Sequence, residues 1–217
     1  MKADEIARYL QDHPDFFEEY AELLAQLYIP HPHGGRAISI TERQILTLRE
    51  KARLLEGKLG ELIRFGEEND ATAERVHRLA VGLAGARDFA AVKRVLLGCL
   101  GGDFAMPHAA FRLWGLPAAG DGEEFAEVSE QTRIFAAGIN HPFCGANAGF
   151  EAAAWFGDPA GEQVRSVALV PLRREVETVG LLALGSPDAE RFHPEMGTLY
   201  LGHIGNLASA ALVRVCE

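Results

Sequence analysis

The chain has few cysteines, no cluster of basic side chains and no long apolar run, and each of these features excludes a class of protein. Its three cysteines, Cys99, Cys144 and Cys216, are odd in number and widely spaced, which indicates reduced thiols and not a disulfide framework. The net charge is −10, from 21 basic and 31 acidic side chains, and no segment is net basic. Because phosphate neutralisation supplies most of the affinity for nucleic acids, we expect no nucleic-acid partner.

Apolar stretches are short throughout the chain. No run approaches the roughly 18 residues of a membrane span, and the first residues, Met1-Lys2-Ala3-Asp4, lack the apolar region of a signal peptide. We therefore expect a cytoplasmic protein that does not engage membranes. With 217 residues, 48% of them hydrophobic and 24% charged, the chain suffices for one good core and an extension.

The most regular pattern predicts one long helix over residues 39–86. Ser39 and Glu42 have the S-x-x-E spacing of a capping box, in which each side chain pairs with a backbone N–H at the helix start. From residue 45 to residue 83, the a and d positions of a heptad repeat are apolar with few interruptions. An apolar stripe of this length needs a partner to cover it.

We expect the partner to be a second copy of the chain. Lys51 at a g position and Glu56 at the following e position attract across a parallel two-stranded interface. The alternative is an intramolecular bundle, in which helices from the start of the chain cover the stripe. The residues expected at the homodimer interface are Ile45, Leu48, Leu55, Leu59 and Leu62.

Two short helices are predicted before the long one, over residues 3–12 and from residue 14 to about residue 27. Their apolar side chains fall at helical spacing and include the aromatic residues Phe16, Phe17 and Tyr20. Because this stripe must be buried, we expect the hairpin to dock on the long helix.

The connection over residues 29–35 is rich in proline and glycine, which predicts a turn. His31 and His33 within it form an H-x-H pair. A metal site takes three or four ligands at fixed spacing, so we interpret the pair as part of the loop and expect no bound metal and no cofactor.

Helices and strands are mixed in the remainder of the chain, residues 87–217. Two strands are almost wholly apolar, which indicates a central hairpin buried on both faces. The predicted elements are a helix capped by Asp88, a strand over 108–115, a helix over 128–139, an irregular segment over 141–149, strands over 164–172 and 178–184, and a last helix from Pro194. The domain organisation is therefore a helical hairpin at 1–38, a long helix at 39–86 and a mixed domain at 87–217.

The closing part of the chain, residues 75–217, resembles the GAF domain. Its strand Ser166-Val-Ala-Leu-Val-Pro171-Leu, the following Val179-Gly180-Leu-Leu-Ala-Leu and Phe192 match the S-x-x-x-x-P-L and x-G-x-L hairpin of that family. The resemblance implies an antiparallel sheet with the first and last helices on one face and a small-molecule pocket on the other.

Further motifs extend the resemblance to the whole chain, which is similar to the bacterial GAF-like family called domain of unknown function 484. That family has no assigned activity, ligand or partner, so the resemblance implies a fold: α+β, with an N-terminal helical hairpin and a long coiled-coil helix followed by a GAF-like antiparallel sheet domain flanked by helices. The motifs are Ala7-Arg-Tyr-Leu-x-x-His13-Pro14-x-Phe16-Phe17, Pro30-His31-Pro32-x-Gly34-Gly35, Glu42-Arg43-Gln44, Phe143-Cys144-Gly145 and Leu184-Gly185-Ser186.

Three classes of function remain open: a ligand-sensing module, a dimeric adaptor with a closed pocket, and a thiol enzyme. We favour a dimeric sensor that catalyses nothing and binds an unknown small molecule, because the resemblance implies a pocket. No kinase, cyclase or helix-turn-helix signature is found, so we expect the sensor to act through an unknown partner protein. The same observation supports the adaptor alternative. The signatures of cyclic-nucleotide and bilin binding in the GAF superfamily are also missing. The expected ligand-binding residues are Phe111, Phe143, Cys144, Trp155, Phe156 and Ser166.

The enzyme alternative rests on Cys144. The segment Phe143-Cys144-Gly145-Ala146 is similar to the GAF-type free methionine sulfoxide reductases, which place a second cysteine between this motif and the hairpin. Residues 145–165 contain no cysteine, so a sulfenic acid on Cys144 would lack a local resolving thiol. We therefore expect no catalytic residue.

Overall fold

The computed structural model describes residues 2–26, 28–31, 34–117 and 119–217, and the side chains of residues 24–42 lie outside that description. The chain divides into two compact units, Met1–Glu67 and Glu68–Glu217. The boundary between them falls within one long helix.

The N-terminal unit begins with three short helices, α1 (Ala3–Asp12), α2 (Phe16–Glu19) and α3 (Ala21–Gln26). The predicted second helix is thus broken at Tyr20, whose φ of −113° and ψ of 37° leave the helical region. Among the described side chains of α1 and α2, none is buried, and Phe17 and Tyr20 are 36% and 48% exposed. Within a single chain, therefore, the aromatic stripe is not buried on the long helix as predicted.

A β-hairpin stands where the sequence predicted a turn. Its strands β1 (Tyr28–His31) and β2 (Gly34–Ser39) pair antiparallel, with Tyr28 opposite Ser39 and Ile29 opposite Ile38. The prediction of a turn throughout residues 29–35 was wrong, because the backbones of residues 28–31 and 34–39 pair with each other. The proline and glycine content on which the prediction rested does not show such pairing. The side chains of His31 and His33 lie outside the described residues.

The predicted long helix is present as α4 (Ile40–Gly85), 46 residues without a break. It begins directly after Ser39, while the side chains of the predicted capping pair lie outside the described residues. Near its end, Leu79 and Leu83 are buried in the core of the C-terminal unit. The residues predicted at a dimer interface are exposed: Ile45 by 44%, Leu48 by 63%, Leu55 by 66%, Leu59 by 57% and Leu62 by 66%.

The C-terminal unit is built on a four-stranded antiparallel sheet, which confirms the α+β class. The strands are β3 (His108–Leu113), β4 (Phe143–Ala146), β5 (Ser166–Arg174) and β6 (Glu177–Ser186), in the spatial order β3-β6-β5-β4. The predicted apolar hairpin, β5 and β6, is therefore central. The helices are α5 (Phe89–Gly102), α6 (Glu130–Gly138), α7 (Glu151–Ala154), α8 (Ala160–Gln163) and α9 (Leu199–Cys216), with a short 3-10 turn at Glu123–Phe125.

Two details of the C-terminal prediction were wrong. The segment expected to be irregular contains the edge strand β4, which pairs with β5 so that Phe143 lies opposite Leu169. A strand of four residues that includes Gly145 is too short to show an alternating pattern. The last helix begins at Leu199 and not at Pro194, because the intervening residues form a turn in which the Met196 N–H donates to the His193 carbonyl at 3.1 Å.

The alternation of side chains along β5 divides the sheet into two faces. Ala168, Val170 and Leu172 point to the face covered by α5, α9 and the end of α4, and Val167 and Leu169 point to the opposite face. On the first face α9 packs so closely that a Cβ on Gly205 would lie 2.5 Å from a methyl group of Val170. Helix α9 is apolar and long enough to span a membrane by length and composition, but its buried residues lie in this core.

Candidate functional site

The face of the sheet opposite α9 carries a cluster of aromatic rings. The rings of Phe135 on α6, Phe143 on β4 and Phe150 contact one another, with centroids 5.3 to 5.8 Å apart. Leu169 of β5 and Leu181 of β6 form the floor beneath them. Because successive side chains of a strand point to opposite faces of the sheet, the positions of these leucines in β5 and β6 place them on this face.

A cavity of about 400 Å³ opens between α6, α7 and the sheet. This volume lies within the range of about 300–1,000 Å³ that is typical of small-molecule sites. The residues that line it are apolar on the floor and polar at the helix ends: Ser129, Gln131, Thr132, Phe135, Gly149, Phe150, Glu151, Ala152, Leu169 and Leu181.

The polar end of the cavity is organised by Glu151, the first residue of α7. Its carboxylate accepts hydrogen bonds from the Ser129 hydroxyl, from the Ser129 N–H at 3.3 Å and from the Thr132 hydroxyl at 2.7 Å. Ser129 is also the N-cap of α6, where its hydroxyl accepts the Thr132 N–H at 3.3 Å. The carboxylate thus lies at the positive end of α6.

These contacts set the ionisation of Glu151. Burial, the largest single influence, raises the pKa of this carboxyl, but the hydrogen bonds from Ser129, Thr132 and Trp155 together outweigh it. The net pKa of Glu151 is lowered from its ordinary value. The cavity therefore has an ionised carboxylate at one end at neutral pH.

Two arginines lie near this face but outside the cavity lining. The Arg112 guanidinium carbon is 5.4 Å from the centroid of the Trp155 ring, and the Arg133 carbon is 5.9 Å from that of Trp114. Arg112 is only 8% exposed and also donates to the Phe111 carbonyl at 3.3 Å. Both cations are thus placed over indole rings.

None of the six residues predicted to bind a ligand lines this cavity. Phe111 and Cys144 are buried in the core on the helix-covered face, and Ser166 is fully buried. The Ser166 hydroxyl donates to the Asp188 carbonyl at 2.6 Å and accepts the Phe192 N–H at 3.4 Å, which gives it a structural role in the connection after β6. The other three, Phe143, Trp155 and Phe156, pack on the cavity face, where the Phe143 ring contacts the rings of Phe135 and Phe150.

Cys144 was the predicted centre of the site and of the enzyme alternative. It is 6% exposed, and burial raises its pKa to about 11. Burial is also the main cause that raises the pKa of Cys99 and of Cys216. All three cysteines are free, and a thiol with a raised pKa is a poor nucleophile at neutral pH.

The polar lining residues that the sequence analysis missed are Ser129, Gln131, Thr132 and Glu151. Ser129 had a local signal, because a serine directly before a helical pattern is a good N-cap. Glu151 had no local signal, because its hydrogen-bond partner Ser129 is 22 positions away in the sequence. In the part of the chain that the structure describes, no group of three His, Cys, Asp or Glu side chains is placed to hold a metal ion.

Comparison with known proteins gives one match to a family and several to solved structures. Residues 1–216 match the family described as "Protein of unknown function, DUF484". Comparison with curated proteins gives no match.

Three of the solved structures that the chain matches are the following. The NLH2 GAF domain of A. aeolicus in an inactive state is 15% identical, with a TM-score of 0.44, over 66% of this chain and 96% of that one. The free methionine-R-sulfoxide reductase of Neisseria meningitidis, in complex with its substrate, is 16% identical, with a TM-score of 0.46, over 66% and 89%. The GAF domain of the potassium sensor histidine kinase KdpD of Escherichia coli is 15% identical, with a TM-score of 0.36, over 66% and 94%. Similarity of this extent does not carry the activities of those proteins to this chain.

Proposed function

The chain belongs to the GAF-like family DUF484, of unknown function, and from this premise we propose that it is a homodimeric module that binds a small molecule and catalyses no reaction. The observation that carries the proposal is the cavity of about 400 Å³ on the sheet face opposite α9. An apolar floor with a few polar groups at one end is the usual form of a small-molecule site.

The chemistry of the cavity favours binding without turnover. Ser129 and Glu151 are hydrogen-bonded, but a carboxylate with a lowered pKa is a weak base for removing a hydroxyl proton. Cys144 is buried on the other face with a raised pKa. We therefore infer that neither the serine nor the thiol is an activated nucleophile.

The long helix supports the dimeric part of the proposal. Leucines such as Leu48, Leu55 and Leu62 repeat at the d positions and are each more than half exposed in a single chain. Exposed apolar residues in a heptad pattern with few interruptions are the usual signature of a coiled coil. Lys51 and Glu56 favour the parallel arrangement, which would bring two cavity-bearing domains to the same end of the coil. We propose that a partner protein reads the state of this dimer.

A substitution at the rim tests the binding function. Gln131 is exposed and lines the cavity, so Gln131→Trp fills the space without disturbing the core. Gln163→Trp is the matched control, because Gln163 is an exposed glutamine of α8 that does not line the cavity. Binding of a library of small fragments to the full-length protein would be measured by saturation-transfer NMR.

We expect a subset of fragments to bind the unmodified protein and Gln163→Trp equally and to lose at least tenfold in affinity for Gln131→Trp, about 1.4 kcal/mol. Fragments that bind all three proteins alike would place binding elsewhere and contradict the proposal. If no fragment binds, the alternative of a dimeric adaptor with a closed pocket is favoured instead.

A further inference from the structure

We propose that the cavity discriminates by charge: it accepts cationic or neutral molecules with an apolar body and rejects anions. This inference rests on the proposed ligand-binding function and names the chemical class of the ligand. It follows from the charges that face the cavity and from the way in which the positive end of α6 is already used.

The first step is the charge of the lining. Among the described residues that line the cavity, Glu151 carries the one charged side chain, and none is basic. Its hydrogen bonds come from neutral groups of Ser129, Thr132 and Trp155, which stabilise the negative charge without cancelling it. An approaching anion therefore meets a like charge, and a cation meets an opposite one.

The second step is the helix terminus. The N-terminus of a helix is the usual place for a ligand's anionic group, because its free N–H groups and its dipole favour negative charge. At α6 this position is occupied from within the protein, since the Ser129 N–H donates to Glu151 at 3.3 Å and the Thr132 N–H donates to the Ser129 hydroxyl at 3.3 Å. The feature that could bind an anion is thus already satisfied by the protein's own carboxylate.

The third step concerns the nearby cations. Arg112 and Arg133 lie over the rings of Trp155 and Trp114, and neither lines the cavity. Arg112 is also within 3.5 Å of the Glu123 carboxylate. These guanidinium groups are thus engaged with other partners, and an anion in the cavity would have to draw one of them away from its ring.

The apolar part of the ligand follows from the walls. Phe135, Phe150, Leu169 and Leu181 present rings and aliphatic groups to the cavity. An aromatic or cycloaliphatic body complements these walls, and a ring face also attracts a cation. The recognised class is therefore a compact apolar molecule with an ammonium or a neutral hydrogen-bond donor.

Two sets of matched probes that differ mainly in charge test the inference. The first set is phenethylamine, phenethyl alcohol and hydrocinnamate, and the second is cyclohexylmethylamine, cyclohexylmethanol and cyclohexanecarboxylate. Affinities would be measured by NMR titration of the full-length protein at neutral pH and low salt. Gln131→Trp identifies binding in the cavity, and Gln163→Trp is the control.

We expect the amine of each set to bind at least tenfold more tightly than the carboxylate, with the alcohol between them. In Glu151→Gln the ratio of amine to carboxylate affinity should fall about tenfold, or 1.4 kcal/mol, while the alcohol is little changed. A residue that merely supported the fold would change all three affinities together. The ratio in the unmodified protein decides the charge preference even if the glutamine variant does not fold.

Other outcomes separate this inference from the proposed function. A carboxylate that binds as tightly as its amine and is displaced in Gln131→Trp overturns the charge preference and leaves the binding function standing. If no probe of either set binds, but other fragments bind and lose affinity in Gln131→Trp, the charge preference is likewise overturned and the binding function stands. If no fragment of any kind binds, both proposals fail.

Discussion

Replacing Leu55 with alanine tests whether the a and d residues of the long helix form the predicted dimer interface. Leu55 occupies a d position and is 66% exposed in a single chain. Its neighbour Leu54 occupies a c position, outside the predicted a and d interface, and is 55% exposed. Alanine and leucine have similar helix propensity, so neither substitution should melt the helix. Comparing Leu55→Ala with Leu54→Ala therefore separates the loss of burial in a dimer from effects of the substitution on the single helix.

The expected magnitude follows from the exposed area. Full burial of a leucine side chain contributes about 1.5–3 kcal/mol, and about two-thirds of that gain is still available at Leu55, or about 1–2 kcal/mol per chain. Both chains of a dimer lose it together, so Leu55→Ala should weaken dimerisation by about 2–4 kcal/mol. This corresponds to an increase of about 30- to 1,000-fold in the dissociation constant.

Sedimentation equilibrium of the full-length protein measures that constant directly. We expect Leu55→Ala to shift the monomer–dimer equilibrium by the stated factor and Leu54→Ala to shift it by less than about threefold. Equal effects of the two substitutions would show that the interface does not follow the heptad. An unmodified protein that is monomeric at tens of micromolar would refute the reasoning as a whole.

Three further predictions concern the C-terminal unit. Arg214 donates to the carbonyls of Leu83 and Ala86 at the end of α4, at 2.8 and 2.7 Å, so Arg214→Leu should lower the free energy of unfolding in urea by about 1–2 kcal/mol. Because the pKa of Glu151 is lowered in the folded state, its ionised carboxylate stabilises the fold at pH values above the ordinary carboxyl value of 4.5, and this stabilisation is lost as the pH falls through the folded-state pKa. As the pH is lowered below 4.5, the urea midpoint should therefore fall more steeply for the unmodified protein than for Glu151→Gln. The pKa of Cys144, raised by burial to about 11, should make its alkylation by iodoacetamide at pH 8 at least about 100-fold slower than that of an unhindered free thiol, as followed by peptide mass spectrometry.

The parts of the fold that could be predicted from sequence are those whose signals are local. The heptad pattern predicted α4, and Asp88 predicted the start of α5, where its carboxylate accepts the Ala91 N–H at 2.7 Å. The central strands β5 and β6 were found because both are long and apolar on two faces. In each case neighbouring residues carry the whole pattern.

The missed strands β1 and β4 are defined by the strand with which each one pairs and not by a pattern of their own. In β1 and β4, four residues each are too few for an alternating pattern to stand out, and pairing defines them as strands. Recognising β4 would also have corrected the site, because Phe143 and Cys144 are adjacent in a strand and must point to opposite faces. The prediction that Phe143 and Cys144 line the same pocket required the segment 141–149 to be an irregular loop.

The remaining part of the site could not be predicted from local sequence. Ser129 signals a helix start, but nothing near it indicates that Glu151 will occupy that terminus. Their contact arises only when α6 and α7 fold over the sheet. The charge of the cavity, on which its proposed selectivity depends, is therefore a property of the tertiary structure.

A native mass spectrum of the protein purified from its own host tests the central claim most directly, that the cavity in the C-terminal domain holds a small molecule. We expect a dimer in which the unmodified protein and Gln163→Trp carry the same additional small mass, while Gln131→Trp does not carry it. A mass that persists in Gln131→Trp, or a protein that is free of any bound molecule in every preparation, would contradict the account.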